Sequence, residues 1–131
     1  LQLDNALQKT NSFFSYKTPK KSKNSGLTKY NNTIYYACKD GIFKLNTSTK
    51  EFEKDKVLSS VFEKDQYTSG KLIVDNSNKI WMFSKNYIHY FSSSKLSNQL
   101  KQNGIAIPSS LTNSISGFEN ITQISNYEYL I

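Results

Sequence analysis

The feature that most constrains this chain is a pattern that occurs twice. TIYYACKDGIFKL at 33–45 and KIWMFSKNYIHYF at 79–91 align at a constant spacing of 46 residues. In that register Ile34 falls on Ile80, Tyr35 on Trp81, Tyr36 on Met82, Ile42 on Ile88 and Leu45 on Phe91. Each copy places apolar or aromatic side chains at nearly every second position. Each breaks once, at Lys39-Asp40 or Lys85-Asn86, and then resumes. Two alternating runs around a short turn read as a β-hairpin. A further strand-like run with an Asn-rich turn precedes each hairpin, GLTKYNN before the first and GKLIVDNSN before the second. ENITQISN followed by YEYLI opens a third copy, with Tyr129 standing 48 residues after Trp81.

A strand-built period of roughly 40–50 residues is the mark of β-propeller blades. Each blade is a four-stranded antiparallel sheet that buries its faces against its neighbours. IWMF fits such a sheet, because a strand covered on both sides has no polar face to alternate with. The expected fold is therefore all-β: a partial β-propeller of about two to three four-stranded antiparallel blades.

Residues 1–16 read as the end of one blade, with strands at 1–3 and 10–16. Residues 26–56 read as a full blade, with strands at 26–30, 33–38, 41–45 and 51–56. The linker 57–69 has room for a helical turn. Residues 70–107 read as a second full blade, with strands at 70–75, 79–84, 87–92 and 104–107. Residues 112–131 start another, with strands at 120–125 and 127–131. The chain begins LQLD and ends on YEYLI with its apolar pattern still running. Closed rings need roughly four to eight blades. The reading is thus a slice of a larger ring, exposing an inner strand edge and an apolar blade face.

Composition agrees with strands. Aromatics make up 14% of the residues, and Tyr and Phe dominate them, so the core is expected to be aromatic. The net charge is +7 and every positive side chain is Lys. A basic balance is compatible with polyanion binding, but the Arg fork that most often reads guanine is missing. The one lysine cluster, KTPKKSK at 17–23, reads as a solvated loop. Direct nucleic-acid contact is not expected. Cys38, the single cysteine, excludes an internal disulfide and a Cys-based zinc site, and reads as a small buried hydrophobe.

No catalytic set emerges. His89 is the single histidine and sits mid-strand, which suits a structural role. DNSNK at 75–79 lacks the spaced acids of a calcium loop and reads as a turn. Glu63 with Asp65, and Glu51 with Glu53, lie among lysines as surface charges. The aromatics Trp81, Tyr35, Tyr36, Tyr87, Tyr90 and Phe91 recur at equivalent places, as packing between blades requires. No catalytic residue, metal ligand or cofactor is assigned. Ligand contacts are expected from turns on the rigid scaffold. The matching turns, Lys39 with Asp40 and Lys85 with Asn86, are the candidates. Both emerge on the face that carries the blade-to-blade linkers.

The second copy resembles the regulator-propeller repeat, whose blades read as D-x-x-G-x-I-W followed by G-(I/L)-x-x-(Y/F). Asp75, Ile80, Trp81, Ile88 and Phe91 stand at comparable places. Tyr35 replaces the Trp in the first copy, Asn78 stands where Gly is usual, and Asn86-Tyr87 replaces the later Gly. The texture is also similar to sensor regions of Bacteroidetes-type triple-Tyr-motif regulators and hybrid sensor kinases. That resemblance implies a periplasmic propeller without catalytic residues. It also implies a β-sandwich partner with a triple-Tyr motif, a membrane anchor, a cytoplasmic output and homodimer formation. The ligands it implies are small oligosaccharides held at propeller faces or domain junctions. A structural or adhesive propeller that binds protein without signalling is the alternative. A propeller enzyme would need acid or His clusters that this stretch does not supply.

Overall fold

The β3–β4 connection shows how the turns are made. β3 (Gly26–Tyr30) and β4 (Thr33–Cys38) are joined by Asn31-Asn32 alone, and both carry positive φ, 45° and 59°. That is the twist a two-residue hairpin needs, and Asn tolerates it. β4 turns into β5 (Gly41–Asn46) through Lys39-Asp40, with Gly41 at φ 131°. β5 reaches β6 (Glu51–Lys54) through a turn in which Asn46 Oδ1 accepts from the N–H groups of Ser48 and Thr49. The computed structural model describes residues 2–3, 6, 9–11, 19–62, 66–93, 100–117, 119–125 and 128–131.

These four strands form one antiparallel sheet in chain order. A second antiparallel sheet repeats the plan with β7 (Ile73–Val74), β8 (Ile80–Phe83), β9 (Tyr87–Ser93) and β10 (Leu100–Ala106). A hairpin of β1 (Gln2–Leu3) and β2 (Lys9–Asn11) precedes them. Another, β11 (Thr122–Gln123) with β12 (Tyr129–Leu130), follows. The protein is all-β in class, built on antiparallel four-stranded sheets, with one short helix among the described residues.

All four residues of β8 are buried, and alternate ones go to opposite sides. Ile80 and Met82, with Phe91 of β9, share a core with Tyr30, Tyr35, Ala37 and Ile42 of the first sheet. Trp81 and Phe83, with Ile88, join Ile121 and the half-buried Tyr129 on the other side. The second sheet is thus covered on both faces, as IWMF implied. Burying each such side chain contributes about 1.5–3 kcal/mol, so these faces dominate the fold's stability.

The linker after β6 closes one end of the first core. Asp55 Oδ1 accepts from the N–H groups of Val57 and Leu58, each at 3.0 Å, and starts α1 (Lys56–Ser59). A 3-10 turn, Ser60–Phe62, follows. Leu58, Val61 and Phe62 then enter the core between the sheets.

Several strand limits differ from expectation. β6 stops at Lys54 rather than 56, because Asp55 is spent on capping the helix. β10 begins at Leu100, earlier than 104. Its first residues pair with β9 through backbone while Lys101, Gln102 and Asn103 are polar, so no alternation marked them. β7 is two residues long instead of six. The chain before it leans onto the first sheet: Gly70 N donates to Asn24 O and Thr28 Oγ1 donates to Leu72 O. The expected strand at 10–16 is described only as far as Asn11, and 12–16 lie outside the described residues. The last two strands are shorter than 120–125 and 127–131, with residue 127 also outside them.

Candidate functional site

Three segments precede the first strands of successive sheets at one end: 22–24 before β3, 67–68 before β7 and 112–116 before β11. Hydrogen bonds tie the first two to each other and to the turns after β4 and β8. Lys39 N donates to Ser22 Oγ at 2.8 Å and Tyr67 Oη donates to Lys23 O at 2.8 Å. Lys85 N donates to Gln66 O at 2.9 Å. Glycines in the lead-ins to β7 and β11 allow this approach. A Cβ on Gly70 would collide with Ala37 O, and one on Gly117 would lie 2.8 Å from Thr68 O.

Between these segments lies an open cleft of about 520 Å³. Among the described residues its walls carry Lys23, Lys39 and Lys85 with Ser, Thr and Asn residues, Tyr67 and Ile115, and no Asp or Glu. Two of the four sequence-predicted residues, Lys39 and Lys85, therefore face one space. Asp40 and Asn86 sit beside them on the same turns and are exposed, but do not line it. Asn86 uses its carbonyl to accept from Ile107 N at 2.9 Å. Of the run at 17–23, Lys20, Lys21 and Lys23 are exposed, as a solvated loop requires, and Lys23 also borders the cleft. The lead-in segments 67–68 and 112–116 carried no periodic signal that could have placed them there.

The remaining polar groups are engaged in structure. Asp75 Oδ1 accepts from the N–H groups of Ser77 and Lys79, so DNSNK is a turn. Asp75 Oδ2 accepts from Trp81 Nε1 at 2.7 Å and from Tyr129 Oη at 3.1 Å. Lys79 Nζ donates to Tyr129 Oη at 3.0 Å and lies over the Tyr90 and Tyr129 rings. Burial works against the Asp75 charge, yet the Lys79 N–H, the Trp81 indole and the Tyr129 hydroxyl hold its carboxyl below the ordinary value.

His89 is buried between Ser84 and Gln102, at 3.0 Å from Ser84 Oγ and 3.3 Å from Gln102 Nε2. The Gln102 amide nitrogen can only donate, so it donates to Nδ1, leaving Nε2–H to donate to Ser84. Ser84 Oγ in turn donates to Tyr87 O. The histidine is held as a neutral structural group, and burial pushes its pKa down. Cys38 is fully buried, and burial pushes its thiol up. Trp81, Tyr35 and Phe91 are buried, Tyr36 and Tyr90 half-buried, and Tyr87 is exposed.

Among the described residues no three His, Cys, Asp or Glu side chains converge as metal ligands. No described helix is long and apolar enough to cross a membrane. No protein-family profile, no curated protein and no solved structure matches the chain.

Proposed function

We propose that this chain is a segment of a β-propeller that senses a ligand without catalysis. It would belong to an extracytoplasmic, membrane-anchored regulator of bacterial signal transduction. The observation that carries the reading is the repetition of contacts between successive sheets. Asn24 bonds Thr68, Thr28 bonds Leu72 and Tyr30 bonds Asn78, across 44, 44 and 48 residues. Lys71 bonds Glu119 and Gln123 bonds Ser77, across 48 and 46 residues. Such constant spacing suits radial sheets that each touch the next. The resemblance to regulator-propeller repeats supplies the sensory role, the periplasmic setting and the triple-Tyr partner domain.

The ligand site of this reading is the end of the sheets that carries Lys39, Asp40, Lys85 and Asn86. Its ligand is a small molecule of oligosaccharide size, since clefts of this volume hold such molecules. Binding switches an output only where two domain or dimer arrangements differ in affinity for the ligand. A thermal-shift screen against neutral and charged oligosaccharides tests the reading. Raised melting with one member, and a changed dimer geometry by scattering, support it; flat melting across the panel refutes it.

An adhesive propeller is the second reading. Ile124, Leu130 and Ile131 of the last hairpin are each more than 60% exposed, as a protein-docking face would be. Protein association that no small ligand alters would favour it.

A further inference from the structure

We infer that the cleft between the lead-in segments takes a small molecule carrying two or more oxyanion groups, rather than a neutral sugar. The inference rests on the binding role proposed for this end of the sheets and names the chemistry of its ligand. Its basis is what the cleft has left to offer. The hydroxyl protons of the wall are already committed. Thr68 Oγ1 donates to Phe83 O, Thr112 Oγ1 to Ser109 O, and Ser116 Oγ to Glu119 Oε1. The Asn24 amide donates to Thr68 O. Among the described wall residues the charged donors that remain are the Lys23, Lys39 and Lys85 ammoniums, beside amide protons of Asn24 and Asn113.

A neutral sugar needs acceptors for its own hydroxyl protons, and carboxylates usually provide them. No described lining residue is a carboxylate, and Glu119, which Ser116 bonds at the cleft's edge, is already occupied by the Ser116 and Gly117 N–H groups. Among the described residues, three lysines around one space outweigh the single Glu119 carboxylate bonded to Ser116, and that positive balance favours an anion. Lys serves as a point charge for phosphate, sulfate or carboxylate without the geometric demand of an Arg fork. The backbone that carries these lysines is pinned by the Ser22, Gln66 and Tyr67 contacts, so the charges are placed before a ligand arrives. A space of about 520 Å³ exceeds one sulfate and suits a disaccharide or a sugar bisphosphate.

The test is calorimetric titration at about 0.15 M ionic strength. The probes are inorganic sulfate, a disulfated disaccharide, a sugar bisphosphate, a diuronic disaccharide and maltose. At least one of the three organic polyanions is expected to bind more tightly than sulfate, and maltose not at all. Which one binds identifies the source of the oxyanions. Lys39→Gln and Lys85→Gln should each weaken that binding roughly tenfold. Lys50→Gln, in the β5–β6 turn, should leave it unchanged.

Equal loss with Lys50→Gln would mean diffuse electrostatics and would overturn the inference. Maltose binding that survives Lys39→Gln and Lys85→Gln would also overturn it, while leaving the sensory reading in place. Silence of all five probes overturns it too. The sensory reading falls with it only if the oligosaccharide thermal-shift panel is flat as well.

Discussion

The indole N–H of Trp81 donates to Asp75 Oδ2 at 2.7 Å, and the same oxygen accepts from Tyr129 Oη. One carboxylate therefore ties the second sheet to the last hairpin across 54 residues. Trp81 is only 3% exposed, so water cannot replace the bond. Asp75→Ala should lower stability by about 2–3 kcal/mol by leaving the indole N–H and the Ser77 and Lys79 N–H groups without their acceptor. Chemical denaturation followed by fluorescence checks this directly, since Trp81 is the single tryptophan.

Acid should destabilise the fold in two separate windows. His89 is neutral and buried, so its folded pKa lies below its unfolded value of about 6.5. The unfolded chain then binds the proton first. The stability this group contributes is present above about pH 6.5 and declines as pH falls toward the folded value. Asp75 has a folded pKa depressed below its unfolded value of about 3.9. Its contribution is present above that value and is lost as pH falls through the folded one. Melting temperatures from about pH 7 downward should show both declines, and His89→Gln should flatten only the upper one.

The repeat and its hairpins were legible because side-chain alternation and Asn or Gly turns are local signals. The 46-residue spacing matched Tyr35 to Trp81, and both are buried. Tyr129, which the spacing set against Trp81, packs its ring centre 4.8 Å from that of Trp81. Half of the candidate site could be read, since Lys39 and Lys85 occupy equivalent turns. The rest could not. Lys23 lies in a lysine run whose composition says only that it is solvated. Residues 67–68 and 112–116 reach the cleft because tertiary contacts pull them in, and no periodicity encodes that. β10 was mislocated at its start for a similar reason: an edge strand satisfied through backbone pairing leaves little apolar trace.

Gly70, in the lead-in to β7, should divide sharply from a glycine within a strand. A methyl group on Gly70 would fall inside the radius of Ala37 O, and its nearest neighbours are backbone atoms that cannot rotate away. Gly70→Ala should therefore cost more than about 3 kcal/mol, in the range reserved for severe clashes. Gly104 sits in β10, and the nearest atoms to an added Cβ are side-chain atoms at 3.7 Å, in His89 and Tyr87. Gly104→Ala should be neutral or stabilising by a few tenths of a kcal/mol, because glycine weakens a strand interior. Denaturation midpoints of the two variants check the contrast, and comparable losses would refute the close approach at Gly70.

Ser59 is the last test of how the linker is attached. β6 ends at Lys54, so the start of β5 loses its neighbour strand at Ile42. Ser59, on α1, takes that place: its Oγ accepts from Ile42 N at 2.8 Å and donates to Ile42 O at 3.0 Å. Both partners are buried. Ile42 O also accepts from Asp55 N, so Ser59→Ala leaves the carbonyl paired but strands the N–H. The expected loss is about 1–3 kcal/mol, the cost of one buried unsatisfied donor. Hydrogen exchange gives a sharper readout than stability alone. The Ile42 amide should lose protection in Ser59→Ala, while the Lys44 amide, farther along β5, keeps it. Unchanged Ile42 exchange would mean that the linker does not complete this strand.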